Sequence, residues 1–355
     1  GSAFVGTVGS YVDDADALGG RAVSALLGLS EILDETRAAE LKAIVKGYGM
    51  SSNTAFIGGL SSYGACALEN LVEDEDITEK YVTGAFSFSE MDKLTVLGTE
   101  YSASLSLSSY RSAKYETRLV YPETLKDEIG AINGNGWYTG DGMLMIYTSD
   151  YIIPSTYWTY VNGQRIPGTT VDSRNRTPDD NGGFNGVNDY AGFVTLDELA
   201  VSSYYFVNNN AELRSDLTAK KSVFFFGNKI VCIGAGINNT YEDNTVLAPN
   251  KQTIETVVEN IFYSSNNSIP TSSEAEGDVQ LVPGRDTVMP DAFYVMRYGG
   301  IYIPSDKNDD FYVKLNTTSG GNFVEVWIDH GKLPENATYE YVIVPSTCMR
   351  IDDFF

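Results

Sequence analysis

Histidine and cysteine are scarce in this sequence of 355 residues. His330 is the single histidine, which excludes a histidine-rich metal site and a proton relay between two imidazoles. No two of the three cysteines, Cys66, Cys232 and Cys348, have the Cys-x-x-Cys spacing. Each lies in a mostly apolar stretch, which favours buried thiols over a disulfide bond. We therefore expect neither a metal ion nor another cofactor.

Basic residues are also few. Lysine and arginine together number 24 against 48 aspartates and glutamates, which gives a formal net charge of −24. A field of this sign repels phosphate backbones and anionic membranes, so neither nucleic acid nor a membrane is an expected partner. The negative field also disfavours an acidic polysaccharide as ligand, unless a local basic cleft overrides the field. No apolar run reaches the roughly 18 residues of a membrane-spanning helix.

The first part of the chain, residues 1–82, has a helical pattern. Apolar residues recur three and four positions apart within residues 22–33, Asp34 is placed to cap a second helix, and a third apolar stretch covers residues 60–72. Two or three short helices are too few to bury an independent core. We therefore predict a helical segment over residues 1–82 that packs against something else.

Residues 83–355 alternate polar and apolar side chains with the period of a β-strand. The strand candidates are 101–109, 143–147, 193–196, 202–207, 222–226, 229–233, 253–258, 292–296, 311–315, 323–328 and 339–344. Turn-rich spacers separate them and no long helix intervenes, which is typical of antiparallel sheets. The sequence thus predicts a mainly β protein with a small α part and a large antiparallel sandwich. A polar segment, 264–277, is predicted to be a surface loop.

A glycine-rich stretch with two aromatic residues, 136–142, is the densest candidate for a functional site. Glycines allow a ligand to approach the backbone closely, and the rings of Trp137 and Tyr138 offer flat faces for sugars. The alternative is a glycine-rich turn that enters a strand, with both aromatic rings packed in the core.

Arg165 lies in a second cluster, residues 157–170, beside several aromatic residues. It could hold a carboxylate or stack on a ring, or it could simply pack along its neighbours. Arg21, on the first helix, has the pattern of a surface residue. His330 follows a strand and precedes a turn, without a nucleophile signature nearby, and this favours a structural role.

Several stretches together resemble polysaccharide lyase family 8, which contains the hyaluronate, chondroitin AC and xanthan lyases. The strongest is Gly136-Trp-Tyr-Thr-Gly-Asp-Gly-Met143, followed by Tyr157-Trp158 and by Arg165-Ile-Pro-Gly-Thr-Thr170. The other similar stretches, in the same order as in the family, are Gly20–Ser24, Met91–Lys93, Tyr115-Glu116, Lys221–Phe226, Lys229–Gly234, His330-Gly331 and Tyr339–Tyr341.

The resemblance implies a helical toroid followed by a large antiparallel β supersandwich, with a glycan cleft between them. Such enzymes cleave uronate-containing chains by β-elimination without a metal. An asparagine neutralises the uronate carboxylate, a histidine and a tyrosine transfer protons, and an arginine and a glutamate position them. The helices before residue 83 are then the end of the toroid, and residues 83–355 are the supersandwich.

The family's catalytic residues carry over only in part. Arg21 matches the positioning arginine, but Gly19 and Ala25 stand where the family has two more arginines. Asn133 matches a substrate-binding asparagine, whereas Ile132 replaces the adjacent glutamate. The catalytic asparagine, histidine and tyrosine belong to helices that would precede residue 1. We therefore expect the chain by itself to be inactive as a lyase, with Arg21 its one retained catalytic residue.

The resemblance also implies a polysaccharide ligand and an extracellular location. The substrate-binding candidates are Asn133, Trp137, Tyr138 and Arg165. Glycosylation sequons occur at Asn175, Asn238, Asn266, Asn316 and Asn336. The expected role is that of a non-catalytic or partial lyase, and the alternative is a glycan-binding or scaffold protein that uses the sandwich. The helices would be covered by a missing helical chain or by self-association.

Overall fold

A computed structural model describes most of the chain. The described residues are 15–50, 60–115, 136–148, 153, 157–173, 186–210, 215–241, 253–263, 268–269, 279–280, 282–288, 292–296, 299–304, 306–308 and 310–345. The molecule divides into two compact units, Gly1–Thr83 and Gly84–Phe355.

The first unit contains three helices: α1 (Ala15–Ser30), α2 (Glu35–Met50) and α3 (Ser62–Glu73). Ser61 caps α3, because its side-chain oxygen accepts a hydrogen bond of 3.0 Å from the backbone N–H of Gly64. The buried apolar residues of this unit are Val23, Leu27, Val45, Leu68 and Leu71. No helix in the described ranges is long and apolar enough to cross a membrane.

The second unit is built almost entirely of strands. They are β1 (Gly84–Phe88), β2 (Lys93–Leu97), β3 (Tyr101–Ser106), β4 (Met143–Thr148), β5 (Thr170–Asp172), β6 (Tyr190–Leu196), β7 (Leu199–Asn210), β8 (Ser215–Phe226), β9 (Lys229–Asn238), β10 (Ile254–Tyr263), β11 (Ser268–Ile269), β12 (Val279–Gln280), β13 (Asp286–Val288), β14 (Ala292–Met296), β15 (Gly299–Ile303), β16 (Phe311–Thr318), β17 (Gly321–Asp329) and β18 (Ala337–Pro345). A short helix, α4 (Tyr157–Tyr160), and one 3₁₀ turn (Ser89–Met91) interrupt them.

These strands form three large sheets. A four-stranded sheet has the order β1-β2-β3-β4, a five-stranded sheet β13-β16-β17-β10-β5, and a seven-stranded sheet β14-β15-β18-β9-β8-β7-β6. The strands pair antiparallel, as in β7 with β8 and β10 with β17. The prediction of a mainly β fold of antiparallel sheets with a few helices is therefore confirmed.

One buried cluster joins the three large sheets, with members such as Leu105 on β3, Val326 on β17 and Phe206 on β7. Burial alternates along the strands: in β8 every second residue from Ser215 to Val223 is buried. This alternation follows from the pleat, which points successive side chains to opposite faces. The faces turned away from the main core are therefore free to carry polar groups.

Two sequence predictions need correction. Residues Ser268–Ile269 lie within the predicted surface loop but pair with Val279–Gln280 as a two-stranded sheet. Cys66 is exposed rather than buried, because it lies on an outer face of α3, whereas Cys232 is buried as expected. Neither forms a disulfide, and Cys348 lies outside the described residues.

Candidate functional site

The glycine-rich stretch 136–142 folds as consecutive turns that lead into β4. The backbone N–H of Thr139 donates to the carbonyl of Gly136 over 3.1 Å, and that of Asp141 donates to the carbonyl of Tyr138 over 3.0 Å. A Cβ at Gly140 would collide with the backbone of Lys114. This close packing gives a structural reason for the glycine.

Both aromatic side chains of this stretch are buried. Trp137 is 6% exposed and Tyr138 is 1% exposed, with their ring centroids 6.0 Å apart. They belong to a second apolar cluster that also includes Tyr157, Val257 and Phe323. These positions agree with the core-packing interpretation, and a role in glycan contact stays a prediction.

Asp141 is held between two buried lysines. Lys114 Nζ lies 3.5 Å from Asp141 Oδ1, with both side chains almost fully buried. Lys221 Nζ donates to the carbonyl oxygens of Gly168 and, over 3.3 Å, of Asp141. We call Lys114, Asp141 and Lys221 the lysine cluster. It ties the turn 136–142 to the loop that ends at Gly168.

Burial shifts the protonation of this cluster. It raises the pKa of Asp141, and the charges of the two lysines oppose that shift. Burial also lowers the pKa of Lys221 from 10.5 to about 8, although the charge of Asp141 acts in the opposite direction. The amine of Lys221 therefore loses its charge around pH 8 and not near its usual pKa of 10.5.

Arg165 is bound by two glutamates. Its Nε and Nη2 donate to Glu255 over 2.8 and 2.9 Å, and its Nη1 donates to Glu325 over 2.7 Å. The guanidinium carbon lies 3.4 Å from the ring centroid of Trp327. We call Arg165, Glu255, Glu325 and Trp327 the arginine cluster. Arg165 thus both holds carboxylates and stacks on a ring, using partners within the chain itself.

A turn after α4 places Arg165 beside Glu255 and Glu325. After α4, Asn162 accepts a hydrogen bond of 3.1 Å from the N–H of Gln164 and forms a tight turn. Burial alone would lower the pKa of Arg165, but the hydrogen bonds and charge of Glu255, with the charge of Glu325, raise it. Burial raises the pKa of Glu255, and Arg165 opposes that shift.

A cleft of about 440 Å³ opens beside the arginine cluster, and we call it the polar cleft. It lies on the face of the five-stranded sheet that is turned away from the main core, because the alternate residues Val313, Val324 and Val326 face the core. Two aromatic residues line it: Tyr312 and Trp327 are paired across β16 and β17, with ring centroids 5.7 Å apart and planes within 18°. Its polar lining includes Asn162, Gln164, Ser173, Thr253, Asp286 and Asp329.

His330 has the structural position that its sequence context favoured. It is 7% exposed, and its Nε2 shares a hydrogen bond of 2.9 Å with Thr256 Oγ1. Thr256 Oγ1 also lies 3.1 Å from Thr170 Oγ1, and the backbone N–H of His330 donates to the carbonyl of Ile254 over 2.8 Å. The imidazole therefore joins neighbouring strands inside the protein.

Comparison with known proteins identifies the family. The sequence model of polysaccharide lyase family 8, super-sandwich domain, matches residues 83–350. This chain belongs to polysaccharide lyase family 8.

Curated members of family 8 are similar over most of this chain. A hyaluronate lyase of Enterococcus faecalis is 26% identical over 279 residues, which cover 74% of this chain and 27% of the relative. A xanthan lyase of a Bacillus species is 26% identical over 356 residues, which cover 95% of this chain and 36% of the relative. The chain thus spans roughly a quarter to a third of the length of these two family 8 relatives.

A solved structure of a Paenibacillus xanthan lyase has the same fold. It superimposes on 94% of this chain with a TM-score of 0.73 and 24% identity, and the match covers 32% of that lyase. At this identity the likeness shows the fold alone. The arrangement of sheets described above is therefore that of a family 8 super-sandwich.

The other candidate residues are placed only in part. Arg21 lies in α1, but its side-chain surroundings are outside the described positions. Asn133, Asn175 and Asn266 are also outside them. The remaining sequons, Asn238, Asn316 and Asn336, lie on or beside strands. The assignment of Arg21 and Asn133 to a glycan site therefore stays a prediction.

Sequence reasoning missed the partners of the candidate residues. Glu255, Glu259 and Glu325 lie in strands with a majority of apolar residues, and all three are buried. A glutamate at a core position of a strand is a usable signal, because a buried carboxylate requires a partner or a shifted pKa. That signal would have pointed to Arg165 as one of the few available cations.

Proposed function

We propose that residues 1–355 form a non-catalytic part of a family 8 lyase, which supports and presents a uronate-containing polysaccharide but does not transfer protons. Relatives named hyaluronate lyase and xanthan lyase make hyaluronan and xanthan the first candidate ligands. The observation that carries the proposal is the burial of His330, the single histidine of the chain.

The physical argument concerns access to the substrate. A general base in β-elimination must come within hydrogen-bond reach of the proton on the sugar carbon beside the carboxylate. His330 is directed to Thr256 inside the sandwich, and Lys221 and Glu259 are also buried. These three groups therefore support folding and not proton transfer to a glycan.

An absorbance assay for the unsaturated uronate product tests the proposal. The purified chain is incubated with hyaluronan, chondroitin and xanthan, with a neutral glycan as blank and a catalytically complete family 8 lyase as positive control. We expect product only in the positive control. Turnover by the chain itself would contradict the proposal, and turnover that is lost in a folded His330→Gln variant would also contradict the structural assignment of His330.

Binding is the second part of the proposal. We propose that glycan contact involves Asn133, Trp137, Tyr138 and Arg165, with Arg21 as the retained catalytic position. Affinity for a responsive glycan is measured for the wild type and for Trp137→Ala and Arg165→Ala, with thermal unfolding as a check of folding. Unchanged affinity in folded variants would show that this assignment is wrong, and no binding across a glycan array would favour a scaffold role.

We also propose an extracellular location. Among the described sequons, Asn336 is exposed, whereas the amide of Asn316 donates to Glu325 over 3.0 Å and that of Asn238 donates to Gly236 over 2.8 Å. After expression through a eukaryotic secretory pathway, peptide mass mapping should find glycan at Asn336 in preference to Asn316. Occupancy at Asn316 alone would contradict the accessibility argument.

The helical unit is proposed to bind a further helical chain or a second copy. Leu29, Met50 and Tyr63 on its described helices, and Ile32 in the turn between the first two, are exposed apolar side chains. Such residues favour association because burial removes apolar area from water. Sedimentation velocity over a concentration series should show self-association or, with a helical partner, complex formation, and replacement of Ile32 by Glu should weaken it.

A further inference from the structure

The polar cleft is a built concavity, and Arg165 is the one residue of its lining that the proposed function uses. Its volume of about 440 Å³ is in the range of small-ligand sites. Its floor is the regular ladder between β16 and β17, where Tyr312 pairs with Trp327 and Lys314 with Glu325. Hydrogen-bonded strands therefore position Tyr312, Lys314 and Trp327 on the floor, whereas Asn162, Gln164, Arg165, Ser173 and Thr253 line the cleft from outside the strands.

One flat aromatic face is available in the cleft. Trp327 is 2% exposed because the guanidinium of Arg165 covers its ring. Tyr312 is half-buried, lies nearly parallel to Trp327, and lines the cleft. A ring held in this way can stack on the apolar face of a pyranose.

The positive charges of the cleft are already neutralised. Lys314 Nζ lies 3.3 Å from Asp286 Oδ1, and Arg165 binds both Glu255 and Glu325. Asp329 adds a further carboxylate. Four carboxylates therefore surround two cations, and the local charge is negative. A uronate or a sulfated sugar would be repelled here.

The polar lining suits hydroxyl groups. The carboxylate of Asp329 accepts from the N–H of Gly331 over 2.8 Å, and its remaining lone pairs can accept from a sugar hydroxyl. Ser173 and Thr253, which are hydrogen-bonded to each other, add two hydroxyl groups to the lining. Asn162, whose amide donates to Glu325 over 3.2 Å, closes the side next to the arginine cluster. Donors and acceptors around one aromatic face are the features by which proteins recognise uncharged sugars.

We propose that the polar cleft binds an uncharged pyranose, with Tyr312 as the stacking residue, and serves as an accessory subsite for the neutral sugars of the polysaccharide. This inference depends on the proposed function for one point only, namely that the neutral sugar belongs to the bound polysaccharide. The cleft itself requires no cleavage and no contact with a uronate.

Binding of small sugars to the whole chain tests the proposal. Saturation-transfer NMR is recorded with cellobiose and N,N′-diacetylchitobiose as neutral probes, with digalacturonate as the anionic probe and glucosamine as the cationic probe. Chemical shifts of the tryptophan indole N–H groups, with Trp327 assigned through Trp327→Phe, report the location. We expect saturation transfer to a neutral probe together with a shift of the Trp327 signal, and neither with digalacturonate.

Matched variants give the decisive comparison. Tyr312→Ala should weaken neutral-sugar binding by roughly tenfold or more, whereas Tyr110→Ala, which removes a 73% exposed tyrosine outside the cleft, should leave it unchanged. If Tyr312→Ala does not fold, Tyr312→Leu provides the same test, because it keeps an apolar side chain and removes only the stacking ring. Binding of glucosamine or digalacturonate alone, no neutral-sugar binding, or equal binding by Tyr312→Ala would each overturn the proposal.

The two proposals can fail separately. Product formation in the uronate assay would overturn the non-catalytic role without affecting sugar binding in the cleft. If the wild type binds no neutral sugar and also forms no product in the uronate assay, only the cleft assignment is overturned.

Discussion

The arginine cluster and the lysine cluster bury charge in the same sandwich with opposite compositions: one cation with two carboxylates, and one carboxylate with two cations. In the first, one cation, Arg165, makes three short hydrogen bonds to two carboxylates. In the second, one carboxylate, Asp141, lies 3.5 Å from a lysine, and Lys221 donates to backbone carbonyls. The arginine cluster therefore has the stronger direct bonds, and the lysine cluster has the more complete burial.

The difference is also one of protonation. An arginine stays charged over the accessible pH range. If its pairing with the glutamates is broken, a change of protonation can therefore occur only on the carboxylates. A buried lysine can lose its proton, as the pKa of Lys221 near 8 indicates. The two clusters should therefore respond to pH in opposite directions when they are damaged.

The largest expected effect is that of Arg165→Leu. Removal of the cation leaves Glu255 and Glu325 buried without it, and we expect a loss of about 3–5 kcal/mol in the free energy of unfolding at neutral pH. The loss should shrink as pH falls, because burial raises the pKa of Glu255, which can then take up a proton in the folded state. Urea unfolding at several pH values, with Arg285→Leu as an exposed control, measures it. A loss that does not depend on pH would contradict this account.

Asp141→Asn should cost less, about 2–3 kcal/mol at neutral pH, because the shape is kept and a lysine can become neutral. Without Asp141 the pKa of Lys221 falls further below about 8. The variant then releases a proton that the wild type keeps, so its deficit should shrink as pH rises towards 8. Asp306→Asn is the exposed control. A deficit that grows with pH would show that Asp141 does not act through Lys221.

Glu259 is a buried carboxylate outside both clusters. None of the described ion pairs reaches it, and burial raises its pKa from 4.5 to about 8. The folded state therefore keeps a proton that the unfolded chain releases, and stability is present at acidic pH and lost as pH rises through 8. We expect a fall of about 2 kcal/mol between roughly pH 6 and pH 8 that Glu259→Gln removes. Glu335→Gln should keep the fall, and a slope retained in Glu259→Gln would reject the assignment.

The smallest effect is that of Asn316→Ala, at the edge of the arginine cluster. The amide donates to Glu325 over 3.0 Å beside the guanidinium. Since Arg165 already neutralises this carboxylate, we expect a loss of only about 1 kcal/mol. Thermal unfolding compares it with Asn322→Ala, which removes an exposed bond to Thr317. A loss as large as that of Arg165→Leu would mean that the neutral donor dominates the cluster.

Sequence patterns located all the strands of six or more residues, several of them only in part, and missed most of the shorter ones. The candidate strand 292–296 coincides with β14, and 311–315 lies within β16, because alternation persists over several residues there. β5 and β13 are three residues long and were not predicted. They depend on pairing with β10 and β16, and such distant partners leave no local period.

The candidate site was predicted by residue type and not by partner. Arg165 was one candidate for holding a carboxylate, with packing along its neighbours as the alternative, but its partners Glu255 and Glu325, which lie 90 and 160 positions away, were not predicted. The same holds for Lys114, which is 27 positions before Asp141. Charge pairing at such separations is set by the sheet register, and one residue of slippage would move each glutamate to the other face.

The sequence by itself determined the class of this protein: a mainly β, acidic chain with one histidine, whose motifs place it in polysaccharide lyase family 8. Only the tertiary structure decided which polar groups meet, where Trp137 and Tyr138 are buried, and that Tyr312 lines a polar cleft. The physical reason is that periodicity and composition are local properties of the chain. The burial and pairing of charges depend on strands that are brought together from distant positions.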